Sequence, residues 1–143
     1  MVVGPLAGGR VYLDTNSLIY AFEQFDTFPG LIDHLLVPLQ SGDLTVVTST
    51  ITLAEVLTHP IKNGDQALAT AYRDFLMPTK HLELWPVDAA IADRAAQLRV
   101  AHKLRTPDAI HLATCIAAKC TILLSRDVGF SGLGIRVISP DRL

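Results

Sequence analysis

The chain has 143 residues, a net charge of −2 at pH 7 and a pI near 6.2, with 50% hydrophobic and 18% charged residues. Those values describe one globular domain, residues 1–143, long enough to bury a core. They exclude a generally basic nucleic-acid-binding surface, and no run approaches the roughly 18 apolar residues of a membrane span.

Residues 1–9 carry no basic residue before a short apolar stretch that Gly and Pro interrupt, unlike a signal peptide. They are expected to be a loose lead-in to a strand, and the protein to be cytoplasmic. Arg10-Val11-Tyr12-Leu13 reads as a strand ending at Asp14, with Thr15 or Asn16 capping a short helix around Ser17 to Phe22. After Phe28-Pro29-Gly30, a helical run shows Leu31, Leu35, Leu36 and Leu39 on one face and stops near Gly42. These leucines exceed what one small core is expected to bury, so part of that face is expected to be an interface.

Leu44 to Thr48 is β-branched and strand-like. Thr52-Leu53-Ala54-Glu55 opens a helix expected to end before Pro60. Asp65 caps a helix with Leu68, Tyr72 and Phe75 as its apolar stripe, and Leu82 to Val87 reads as a peripheral strand because it contains Pro86. Asp88 caps a long helix to about Lys103, with Ile91, Ala95 and Leu98 inward. Thr106-Pro107 starts another helix, as cap and first-turn proline. It carries Leu112, Ala113, Ile116 and Ala117 inward, and within it Cys115, like Cys120 beyond, reads as a reduced core thiol. Thr121 to Leu124 has the continuous apolar character of a central parallel strand, and Ile135 to Ile138 is a last strand. Alternating strands and helices predict a three-layer α/β/α sandwich with a central, mostly parallel sheet.

In such a sheet the strand ends converge at one edge, where ligands bind. Asp14, Glu55, Asp108 and Asp127 all fall at strand ends or helix starts. Each has a local alternative. Asp14 can cap a helix. Glu55 stands three residues after Thr52, the spacing of a capping box. Asp108 suits a first helical turn by its charge alone, and Asp127 suits a turn. Together they are hard to explain as four independent caps. Four anions sharing an edge repel unless a cation neutralises them. Oxygen donors without His or Cys suit Mg²⁺ or Mn²⁺, and such an ion serves phosphodiester hydrolysis.

Leu13 to Asn16, Ser49 to Glu55, Arg105 to Ala113 and Ser125 to Phe130 resemble the PIN domain, closest to the VapC-type toxins of toxin–antitoxin pairs. The likeness spans about Val11 to Ile138. It implies a PIN-like fold and a Mg²⁺- or Mn²⁺-dependent endoribonuclease in which Asp14, Glu55, Asp108 and Asp127 are catalytic and bind metal. Mechanistically, Asp14 is expected to lie centrally and contact the main ion, Glu55 and Asp108 to complete or orient its water shell, and Asp127 to help a second ion or a metal-bound water. Thr15, Asn16 and Ser125 match supporting polar positions. Gly129 departs from the pattern, since many relatives carry a further acid there, which leaves the second ion open. The resemblance also implies an RNA substrate, a homodimer and a small cognate antitoxin lying in a helical groove.

Arg126 and Arg105 are candidate substrate contacts, each able to hold a phosphate or to pair with an acid. His111 reads first as a hydrogen-bonded helix histidine, with substrate contact as the alternative, and Trp85 as core or interface. The same residues serve a housekeeping RNA-processing or DNA nuclease. A phosphoacceptor switch would need a lysine after a late strand, where Ser139-Pro140-Asp141 stands instead, and a non-catalytic binding module would not need all four acids.

Overall fold

The computed structural model describes residues 4–7, 9–126 and 132–143. Five strands, β1 (Arg10–Leu13), β2 (Thr45–Ser49), β3 (Leu82–Trp85), β4 (Ile122–Leu124) and β5 (Arg136–Ile138), form one sheet in the order β3-β2-β1-β4-β5. Every neighbouring pair is parallel, with Val11 opposite Val46 on one side and Ile122 on the other. All strands therefore end at the same edge. The chain adds β2 and β3 on one side of β1 and then returns to place β4 on the other. That reversal puts a crevice at the end of β1.

The helices are α1 (Thr15–Glu23), α2 (Val37–Ser41), α3 (Thr50–Lys62), α4 (Gln66–Phe75), α5 (Ala89–His102) and α6 (Thr106–Ala117). A π-helical turn, Ile32–Leu36, runs directly into α2. Strand side chains alternate between faces, and this alternation divides the core. Val11, Leu13, Val46, Ile122 and Leu124 pack with α1, the 28–39 segment, α3 and α4, whereas Tyr12, Val47 and Leu123 pack with α5 and α6. The result is the predicted α/β/α sandwich, with β3 at an edge as expected but ending at Trp85, before Pro86.

Several local expectations are corrected. Asp14, not Thr15 or Asn16, caps α1, its side chain accepting from the Ser17 N–H at 2.9 Å. Ser49 caps α3, so Thr52 lies inside the helix and its hydroxyl meets that of Thr48 at 2.8 Å. The Thr52–Glu55 capping box is therefore absent. Helix α3 does not stop before Pro60 but contains it, buried, and runs to Lys62. Arg105 occupies the cap position of α6 without a side-chain hydrogen bond to it, and Thr106 is the first helical residue. Of the early leucines, Leu31 and Leu35 are fully buried, while Leu36 and Leu39 are half-buried at the surface. The expected lead-in includes Leu6, which is 1% exposed and joins the core. No described helix is long and apolar enough to cross a membrane.

Candidate active site

Asp14 follows β1 directly, and its N–H reaches the Leu124 carbonyl of β4 at 3.4 Å. The neighbouring strand thus fixes its backbone, and the α1 cap uses its Oδ1. Thr15 and Asn16 open α1 beside it. Ser17, fully buried, donates its hydroxyl to the same Leu124 carbonyl at 3.0 Å. On the other side, Thr48 donates to the Leu13 carbonyl at 2.7 Å, tying the end of β2 to β1.

Glu55 stands in the second turn of α3, and its Oε1 accepts from Thr15 Oγ1 at 2.7 Å and lies 3.5 Å from His111 Nε2. His111 and the Thr15 hydroxyl, with Arg105 farther off, hold the Glu55 carboxyl below the usual carboxylate range against the opposing effect of burial. Glu55 is therefore an anion at neutral pH, not a capping side chain. Asp108 sits in the first turn of α6, where the helix dipole favours an acid. Arg105 Nε approaches its Oδ2 at 3.3 Å from a side chain that is 83% exposed.

Asp14, Thr15, Asn16, Glu55, Arg105, Pro107, Asp108 and His111 line one cleft of about 150 Å³. Three carboxylates from β1, α3 and α6, which sequence spacing alone separates widely, thus share a cavity. Asp127 lies outside the described residues, as does Gly129. Ser125, at the end of β4, is buried, its N–H bonded to the Ile138 carbonyl at 3.0 Å. The Arg126 guanidinium lies 5.9 Å from the Tyr20 ring centroid and 5.6 Å from that of Phe28. His111 is a buried residue whose two ring nitrogens face Tyr12 and Thr15. Tyr12 was not singled out by sequence reasoning. Its one signal is a hydroxyl between the apolar Val11 and Leu13 of an inner strand, and that hydroxyl lies 2.7 Å from His111 Nδ1.

Among the described residues, no three His, Cys, Asp or Glu side chains close around a single point tightly enough to form a complete ligand set. Mg²⁺ keeps several waters and binds through one or two carboxylates, not a full protein cage. Both ring nitrogens of His111 are engaged by Tyr12 and Thr15, so the donors the cleft offers are chiefly oxygens, in a set where carboxylates outnumber the one guanidinium three to one. That donor chemistry fits Mg²⁺ or Mn²⁺.

A parallel α/β sandwich with acids gathered where β1 ends defines the class. The PIN domain family model matches residues 11–135, and the chain belongs to that family. Among solved structures, a toxin–antitoxin complex from Klebsiella pneumoniae is 27% identical with a TM-score of 0.68, over 93% of this chain and 99% of that one. FitAcB from Neisseria gonorrhoeae is 21% identical with a TM-score of 0.68, over 93% and 99% of the two chains. VapC20 of Mycobacterium tuberculosis, a sarcin–ricin loop cleaving toxin, is 18% identical with a TM-score of 0.67, over 88% and 98%. Comparison with curated proteins gives no match.

Proposed function

We propose that the chain is a Mg²⁺- or Mn²⁺-dependent endoribonuclease and the toxin of a toxin–antitoxin pair. The observation that carries this reading is the convergence of Asp14, Glu55 and Asp108 in one cleft at the carboxyl edge of the sheet. Membership of the PIN family supports nuclease chemistry. The toxin role draws on the Klebsiella complex, and RNA as the substrate draws on the loop-cleaving toxin.

Asp14, Glu55 and Asp108, with Asp127, would hold the ion. When bound, it supplies Lewis-acid catalysis and an activated water for in-line hydrolysis of the phosphodiester. The Asp14 N–H is held by the Leu124 carbonyl of β4, which suits the central ligand. Glu55 is kept ionised by its neighbours and so presents a negative charge to the cleft. Arg105, mostly exposed and beside Asp108, is one candidate to meet a substrate phosphate, and Arg126, near the Tyr20 and Phe28 rings, is a second.

The apolar groove between α1, α2, α4 and β3 suits the amphipathic segment of an antitoxin. It has a volume of about 530 Å³, with Phe22, Leu36, Leu39, Phe75 and Leu82 in its walls. A homodimer and a cytoplasmic location complete the proposal.

The test is incubation of RNA with purified protein and Mg²⁺ or Mn²⁺, alongside Asp14→Ala protein, an EDTA control and a matched DNA oligonucleotide. Cleavage of RNA that requires both the ion and Asp14 is the expected result. Cleavage that persists in EDTA or in the variant removes the mechanism, and preference for DNA removes the substrate.

A further inference from the structure

The hydrogen bonds behind Glu55 fix where their protons lie. Tyr12 Oη is 2.7 Å from His111 Nδ1, His111 Nε2 is 3.1 Å from Thr15 Oγ1, and Thr15 Oγ1 is 2.7 Å from Glu55 Oε1. An ionised carboxylate only accepts, so Thr15 must give its single hydroxyl proton to Glu55. Thr15 then offers His111 only lone pairs, and the ring hydrogen must sit on Nε2. A neutral ring has no hydrogen left for Nδ1, which accepts from Tyr12. Tyr12 can donate, because a phenol keeps its proton at neutral pH and this one lies fully buried against His111 Nδ1. No buried side-chain nitrogen or oxygen among the described residues lacks a partner.

We propose that Tyr12, His111 and Thr15 form a one-way chain of donors that locks His111 as the Nε2–H tautomer and holds the Glu55 carboxylate in place at the cleft. His111 and Tyr12 are positioning residues; neither needs to touch substrate. The chain joins four elements, β1, α6, α1 and α3, and it links helices packed on opposite faces of the sheet. Its catalytic consequence rests on the nuclease reading, whereas the tautomer does not.

Nitrogen NMR of labelled wild-type protein should show a protonated Nε2 and a bare Nδ1 at His111. A protonated Nδ1, or a doubly protonated ring, overturns the chain. Tyr12→Phe preserves the ring volume and removes only the first donor, and Thr15→Val removes the last. Each should lower kcat for RNA cleavage about 10- to 100-fold, the usual cost of losing a group that orients a ligand, with KM within about twofold. Thr15→Ser should restore kcat. A Tyr12→Phe protein with a native amide spectrum, an unchanged His111 tautomer and unchanged kcat refutes the proposal. If wild-type protein cleaves no RNA, the nuclease reading fails while the tautomer spectrum still decides the chain.

Discussion

Asp14 performs two tasks that a single substitution can separate. It caps α1 and it lines the cleft. Asp14→Asn keeps an oxygen for the Ser17 N–H, so its stability in urea denaturation should stay close to wild type. Asp14→Ala loses the cap and should cost about 1 kcal/mol. Both variants should lose RNA cleavage, and an active Asp14→Asn protein would contradict a ligand role. The cap itself was hard to read, because Asp14, Thr15 and Asn16 are three cap-competent residues in a row. The end of β1 decides between them, and that end is set by pairing with β2 and β4, which a local pattern does not contain. Glu55 shows the reverse case. Its spacing from Thr52 suggested a capping box, but Ser49 had already satisfied the helix start, which freed Glu55 for Thr15 and His111.

At the scale of elements, β1 is tied to β3 across the intervening β2. Arg10 donates through both terminal nitrogens to Glu83 at 2.9 Å, and Trp85 adds a third donor to that carboxylate at 3.0 Å. Arg10 and the Trp85 N–H hold the Glu83 carboxyl below its usual value. A lowered folded-state value contributes stability above the unfolded pKa, and that contribution is lost as pH falls through the folded value. With both side chains more than a third exposed, or nearly so, the pair is worth at most about 1 kcal/mol. Glu83→Gln should therefore reduce stability at neutral pH slightly and flatten its decline below about pH 4.5, as read from urea midpoints across an acid series. An equally steep decline would mean that other carboxylates dominate. Most elements were legible because their caps and stripes agree: Asp65 and Asp88 cap α4 and α5 as expected. Helix α3 outlasted its proline because Pro60 is buried, so packing overrode the local break. The π turn at Ile32–Leu36 has no sequence signature that separates it from an α-helical run.

For the molecule as a whole, two cores share one thin sheet, so a strand residue supports both the fold and the cleft. Leu124 is fully buried between the layers, and its carbonyl receives Ser17 and the Asp14 N–H. Leu124→Ala should cost about 2–5 kcal/mol in global stability, measured by thermal or urea unfolding. A cost under 1 kcal/mol would show that this layer repacks freely. The fold class was legible because alternation of strand and helix dictates a parallel sheet. The convergence of Asp14, Glu55 and Asp108 was legible only through that fold, since nothing local connects residues so far apart. The strand order also has a consequence for synthesis. A ribosome releases the chain from its N-terminus, and the first half contains Asp14 and Glu55 but neither α6 nor β4. The wall bearing Asp108 and the strand that seats Asp14 are the late additions. A nascent or truncated chain lacking them has no assembled cleft, so whatever chemistry the protein performs begins only after α6 and β4 have been made.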